Sequence, residues 1–204
     1  MSVEQGTQAM LMRRREILAQ GAEPIGWKVG FNVPAIQERL GLDAPLAGFL
    51  TTNSLIQDTW SIEDDGPVVV ESEVAVELGD DDRTIVALLP ALELADPADL
   101  DIELEQILAG NIFHRAVAFG PRVETREPGA GRILVNGEEQ HAVTGGDLDA
   151  MVEAVAARLE PAGEQLRPGD RIITGVLAPP HEAQPGDTVR LELDELGSVE
   201  LRFS

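Results

Sequence analysis

Apolar positions recur along this chain with two different periods. Met10, Leu11, Ile17 and Leu18 fall at helical spacing and predict a helix over 8–19, ended by Gly21 and Pro24. The next run, 25–31, alternates strictly and predicts a strand. Ile25, Trp27, Val29 and Phe31 fall on one face, with Gly26, Lys28 and Gly30 on the other. Lys28 then projects from a face cleared of neighbouring side chains, where a ligand can approach the backbone. The same alternation also fits an edge strand with Lys28 in solvent. Asn32 and Pro34 open a short helix through Leu40, closed by Gly41. Residues 42–66 read as irregular. Strands are expected over 68–78, over 85–94 with an interruption at Pro90, and over 113–119, with a helix over 99–109. Ile133–Val135 followed by Asn136-Gly137 reads as a hairpin, because Asn-Gly supplies the positive φ of a type I′ turn. The best amphipathic helix is 147–160, with Leu148, Met151, Val152, Val155 and Leu159 on one face. Two Pro-Gly-Asp turns, 168–170 and 185–187, each precede an alternating run, and Leu196-Gly197 turns a last hairpin into 199–203. These patterns predict one strand-rich α+β domain over 1–204.

The strand over 68–78 carries the first candidate chemistry. Alternation puts Val69, Glu71, Glu73, Ala75 and Glu77 on one face. Residues two apart on a strand are roughly 6.5–7 Å apart, so Glu71 and Glu73 reach one central point. A solvated sheet face would explain period-two glutamates equally well, but these two sit among valines. Carboxylates buried together need a cation between them. Glu93, between Leu92 and Leu94, is a third oxygen donor, and such a set suits a hard ion such as Mg²⁺ or Mn²⁺. Spacing alone leaves open whether Glu93 meets the other two.

Composition narrows the classes. A 43% apolar content over 204 residues supports a core, and no run reaches the length of a membrane span. Arg13, Arg14 and Arg15 lead into no apolar segment, so no secretory signal is expected, and the cytoplasm is the expected compartment. Without cysteine there is no disulfide, thiolate nucleophile or Cys-built zinc site. The net charge of −22 argues against a nucleic-acid partner and means that any anion site needs local positive charge. The 15 basic side chains comprise fourteen arginines and a single lysine, Lys28, which marks it as a functional candidate. His114, His141 and His181 are isolated in sequence and read as ordinary surface or core residues, His181 being the least unlikely to act in catalysis. Asp80–Asp82 reads as a solvated turn.

Taken in order, Gly26-Trp-Lys-Val-Gly30, Pro34-Ala-Ile-Gln37, Val70-Glu-Ser-Glu-Val-Ala75, Leu78-Gly79, Pro90-Ala-Leu-Glu-Leu-Ala-Asp96, Ala109-Gly-Asn111, Asn136-Gly137, Ile173-Thr-Gly175 and Leu196-Gly-Ser-Val199 resemble the 2-keto-4-pentenoate hydratase family of the fumarylacetoacetate hydrolase superfamily. The resemblance implies a mixed β-roll with a few peripheral helices and a divalent metal, Mg²⁺ or Mn²⁺. It places the metal ligands on Glu71, Glu73 and Glu93, the active-site lysine on Lys28, and substrate binding on Lys28 and Thr174. It also implies a lyase acting on a 2-oxo acid or 2-hydroxydienoate through a metal-bound enolate, most simply a hydratase. A 2-oxo-enedioate decarboxylase or a C–C hydrolase are the alternatives, with a non-catalytic metal-binding assembly partner the non-enzyme reading. The partners implied are a small 2-oxo acid, further copies of the chain, and a related decarboxylase in complex. Against the family pattern the N-terminal helical region (about 1–24) is short. The family's Pro-Asp-Tyr-Gly is Pro45-Leu-Ala-Gly48, the polar pair after Lys-x-Gly is Phe31-Asn32, and the Ser after Thr174-Gly175 is Val176. The metal set is complete, whereas the substrate pocket is rebuilt.

Overall fold

Residues 3–204, described in a computed structural model, form two mixed sheets with helices around them, a strand-rich α+β arrangement. Positions 1 and 2 of the expected domain and of its N-terminal region lie outside the described residues. The first sheet runs β2 (Leu46–Thr51), β1 (Pro24–Gly30), β9 (Arg171–Ile173), β4 (Val69–Leu78), β5 (Ile85–Ala95), β6 (His114–Phe119), with β10 (His181–Glu182) also on β4. The second runs β3 (Thr59–Trp60), β12 (Gly197–Phe203), β11 (Thr188–Leu193), β7 (Ala130–Val135), β8 (Glu138–Thr144). β1 and β9 are parallel, as are β3 and β12, and the other pairs are antiparallel.

The main core lies between the sheets. Val70, Val76 and Leu92 from the first meet Val189, Leu191 and Leu201 from the second. Helix α5 (Leu148–Leu159) adds Val152, Val155 and Leu159, and its first turn is capped by the Asp147 carboxylate accepting from the Ala150 N–H at 3.0 Å. Helix α1 (Val3–Ala19) begins before the apolar spacing predicts and packs on α4 (Leu104–Ala109). The close approach needs Gly6, where a Cβ would stand 2.7 Å from Leu108 Cδ1. Its Arg14 guanidinium lies 4.6 Å from the centre of the Trp27 ring, whose Nε1–H donates to Asp170 at 2.9 Å. No helix among the described residues is long and apolar enough to cross a membrane.

Four local expectations are corrected. A bulge between Pro24 and Gly26 reverses the facing of Ile25, which packs with Leu50 and Ile173 rather than beside Trp27. The stretch 42–66 contains β2, β3 and a short helix, α3 (Ile62–Asp65), besides irregular chain. Every residue of β2 is buried, so it shows no alternation to read. β5 runs unbroken through Pro90, because the Pro90 carbonyl accepts from the Gly120 N–H at 2.8 Å. The missing N–H therefore points to that same side, just past the end of β6, and the β4 ladder loses nothing. Finally, α4 starts at Leu104, since Asp99 accepts from the Asp101 N–H at 3.0 Å and holds a turn there instead.

Candidate functional site

Strand pairing brings the three carboxylates together. Glu71 and Glu73 share a face of β4, and Glu93 on β5 stands directly opposite Glu71, with Ala91 opposite Glu73. One oxygen from each lies within 4.8 Å of the others. Glu73 and Glu93 are fully buried, and Lys28 is 2% exposed. β1 lies between β2 and β9, so Lys28 is not on an edge strand in solvent. Its ammonium donates to Glu93 Oε1, and also to the Ile112 carbonyl at 3.2 Å. Two of its three N–H donors are thereby engaged by protein.

The glycines around Lys28 make room for protein rather than for a ligand, contrary to the expectation from alternation. A Cβ on Gly26 would stand 2.0 Å from the Arg171 carbonyl oxygen, and one on Gly30 2.8 Å from Ile112 Cγ2. Gly48 pairs with Lys28 across β1 and β2, and a Cβ there would lie 2.8 Å from Lys28 Cγ. The Ile112 carbonyl is aimed by an unusual backbone. Asn111, Ile112 and Phe113 have φ of 64°, 53° and 63°, and nearby Phe31 has 58°. Left-handed conformation in bulky residues costs on the order of 1–3 kcal/mol each and persists only where surroundings over-determine it. Asn111 supplies that restraint: its side chain accepts from the Phe49 N–H at 2.8 Å and donates to the Phe49 carbonyl at 2.9 Å.

His114, which sequence spacing set aside, belongs to this cluster. Its Nδ1 lies 2.7 Å from Glu93 Oε1 and its Nε2 3.0 Å from Ser54 Oγ. Lys28 and His114 therefore engage the same oxygen of Glu93, while Glu93 Oε2 is buried without a partner. Glu73 repeats the arrangement: Oε2 accepts from the Gly175 N–H at 2.5 Å, and Oε1 is buried without a partner. Two orphaned buried carboxylate oxygens are costly unless something cationic completes them. The fit to a hard divalent ion is good, with three oxygen donors converging and two having no other use.

Burial and mutual repulsion set the electrostatics of the cluster. Burial and the neighbouring Glu93 charge, against the pull of Lys28, raise the Glu71 carboxyl to about 7. Burial, with Glu93 and Glu71, pushes Glu73 well above the usual range. Burial opposes ionisation of Glu93 too, but Lys28 and His114 overcome it and hold the group low. Burial alone would depress the Lys28 ammonium, yet Glu93, Glu71 and Glu73 hold it above its ordinary value.

Thr174 is not brought to the cluster. It is buried, with its hydroxyl donating to the Val74 carbonyl at 2.9 Å; its neighbour Gly175 makes the contact to Glu73. Leu46, where the family pattern has an acid, packs with Ile107 and Ile112. His181 bonds Asp187 at 2.9 Å and lines a separate depression with His141. Nothing in one sequence marks His114: a left-handed 111–113 segment and a bulge opposite Ala95 set its position. Glu71 opens onto a cleft of two joined lobes, ≈ 150 and ≈ 200 Å³, that share Phe31, Ala98 and Pro180; Lys28 lines the first.

The fold coincides with a known class. The chain belongs to the family described as fumarylacetoacetate (FAA) hydrolase C-terminal, whose model matches residues 38–204. Among curated relatives, it is 28% identical over 216 residues to 2-keto-4-pentenoate hydratase 1 of Dechloromonas aromatica (strain RCB), spanning 93% of this chain and 81% of that protein. It is 27% identical over 224 residues to 4-oxalocrotonate decarboxylase of Pseudomonas putida, spanning 95% and 81%. The solved structure of 4-oxalocrotonate decarboxylase from Pseudomonas putida G7, complexed with magnesium and adipate, superposes with a TM-score of 0.87 at 21% identity, over 100% of this chain and 87% of the other. At that identity the likeness is one of fold.

Proposed function

We propose that this protein is a divalent-metal-dependent lyase acting on a 2-oxo acid or its 2-hydroxydienoate tautomer, with hydration as the reaction. The observation that carries this reading is the meeting of Glu71, Glu73 and Glu93 around two partnerless buried oxygens, beside the chain's single lysine. Glu71, Glu73 and Glu93 would hold Mg²⁺ or Mn²⁺, matching the magnesium in the fold neighbour. Such an ion supplies Lewis-acid stabilisation of the negative charge that develops on the C2 oxygen as the dienol becomes a ketone.

The chain's own residues then have distinct tasks. The Gly175 N–H holds one oxygen of Glu73, and Lys28 with His114 holds one oxygen of Glu93, which leaves the other oxygen of each turned to the shared centre. The third N–H of Lys28 donates to the substrate carboxylate or C2 oxygen. Lys28 is also the positive charge that an anionic substrate needs on a surface of −22. With Leu46 in the place of the family's acid, proton handling is assigned to Lys28 Nζ, which lines the first lobe of the cleft. The Asn111-held left-handed segment keeps that ammonium in place through the Ile112 carbonyl. The hydratase and decarboxylase relatives both support a 2-oxo-acid substrate.

Calorimetric titration with oxalate, with and without Mg²⁺, tests the reading on wild type and Lys28→Ala. Binding should require Mg²⁺ and weaken in the variant. Absence of binding under both conditions would overturn the reading. Where binding holds, product analysis with 2-hydroxypenta-2,4-dienoate separates water addition from CO₂ release.

A further inference from the structure

The cleft between Glu71 and helix α2 (Pro34–Leu40) opens on the face of β4 that carries Val69 and Glu71. Val70 and Ser72, on the opposite face, line a different depression of ≈ 100 Å³, walled further by Ile133 and Val189 of the second sheet and by Pro179-Pro180. Its polar lining is Ser72, Gln140, His141 and His181. Three features aim those groups inward. First, Ser72 is 4% exposed, and its hydroxyl bonds none of the described residues. A hydroxyl that is buried and unpaired is costly unless a ligand or water completes it. Second, a register shift between β7 and β8 sets Ile133 opposite His141 and Leu134 opposite Glu139, leaving Gln140 as the extra residue of a bulge. Consecutive strand residues normally point to opposite faces, yet here Gln140 and His141 both border the depression. Third, His181 pairs with Val70 across β10 and β4, which sets it diagonally from Ser72. Its Nε2–H donates to the Asp187 carboxylate at 2.9 Å, and that carboxylate is anchored by the Asn136 amide at 2.8 Å and the Gln184 N–H at 3.0 Å. In the neutral ring this fixes Nδ1 as an acceptor.

We propose that this depression is a second binding site, for a small uncharged compound carrying a hydroxyl group. The ligand hydroxyl accepts from Ser72 Oγ–H and donates to His181 Nδ1, and its carbon body covers Val70, Ile133 and Val189. A space of ≈ 100 Å³ encloses a body of about four to six non-hydrogen atoms. Charge is excluded by the lining: among the described residues no lysine, arginine, aspartate or glutamate borders the depression, so an ion would lose its water without gaining a counter-charge. A metal ion is excluded as well, since among the described residues only Glu71, Glu73 and Glu93 converge closely enough to hold one.

The test is titration of the Mg²⁺-supplemented protein with cyclopentanol, followed by NMR shifts of the Ser72, Gln140, His141 and His181 signals. Those signals should move saturably. Cyclopentanecarboxylate and cyclopentylammonium should bind roughly tenfold or more weakly than cyclopentanol. Cyclopentanone, which has no hydroxyl proton for His181, should bind roughly fivefold more weakly. Ser72→Ala and His181→Phe should each weaken cyclopentanol roughly fivefold, with the rest of the spectrum keeping its dispersion. The inference is overturned by the absence of saturable shifts at these residues, by charged analogues that bind as tightly as the alcohol, or by both variants binding like wild type. None of these outcomes bears on the 2-oxo-acid reading, which oxalate titration tests on the other face of β4.

Discussion

Glutamates stand on strands of both sheets, with opposite outcomes. On the second sheet, Glu192 and Glu200 are met by arginines: Arg132 and Arg190 reach Glu192 at 2.7 and 2.8 Å, and Arg202 reaches Glu200 at 2.8 Å. Arg132 and Arg190 hold the Glu192 carboxyl below its ordinary value, and water screens the whole patch. On the first sheet, no arginine among the described residues bonds Glu71 or Glu73, and burial drives both carboxyls upward. Glu77, on the same face of β4, makes the contrast within one strand. Arg122 and Arg171 bond it at 2.8 and 3.2 Å, and its carboxyl is held low despite partial burial. Residue type and facing are the same along β4; the cation supplied to each position decides the outcome. At Glu77 that cation is the protein's own, whereas at Glu71 and Glu73 Lys28 is one charge against three.

The largest effect is expected from removing that one charge. Lys28→Met leaves Glu93 buried without its ion pair and should destabilise the protein by about 3–5 kcal/mol at neutral pH, read from urea unfolding. Acidification should recover much of the loss, because a protonated Glu93 no longer needs a cation. A Lys28→Met protein as stable as wild type would mean that the buried carboxylates are balanced by something other than Lys28.

Next comes the pH dependence of the metal-free protein. Glu71 is raised from 4.5 to about 7 in the fold, so its contribution is fully present below pH 4.5 and is lost as pH rises through 7. A shift of that size corresponds to roughly 3 kcal/mol. Melting in chelator should therefore fall from pH 5 to pH 8. Added Mg²⁺ should oppose the fall, stabilising more at pH 8 than at pH 5, since the ion binds the deprotonated carboxylates. Equal melting temperatures at both pH values in chelator would remove the difference drawn between the two glutamate sets.

A smaller change is expected at His114. His114→Ala frees Glu93 to rotate and should weaken Mg²⁺ by about 10–100-fold in calorimetry, with His114→Asn, which keeps a donor near Nδ1, restoring part of it. The smallest belongs to the second sheet. Arg190→Met removes contacts to Glu192 and Glu200 in solvent and should leave the urea midpoint within measurement scatter. A loss comparable to that of Lys28→Met would mean that the outer pairs carry structural weight after all.

Local rules reach a defined distance into this protein. The alternation over 68–78 places Glu71 and Glu73 on one face, Asn136-Gly137 marks the hairpin between β7 and β8, and the spacing of Val152, Val155 and Leu159 marks the buried side of α5. Each is visible because one face of an element is wet or polar and the other is not. β2 was invisible for the opposite reason: with every residue buried, it has no polar positions to set a period.

What the sequence by itself determined is therefore short-range: the period of each element, the shared face of Glu71 and Glu73, and the singularity of Lys28. Tertiary structure alone decided that Glu93 stands across from Glu71, that Lys28 and His114 engage the same Glu93 oxygen, and that Val33, Ile36, Leu100 and Val176 converge beside them. The reason is physical. Strand register, the bulge opposite Ala95 and the left-handed turn at 111–113 are set by pairing between segments distant in sequence, and no periodicity within one segment carries that information.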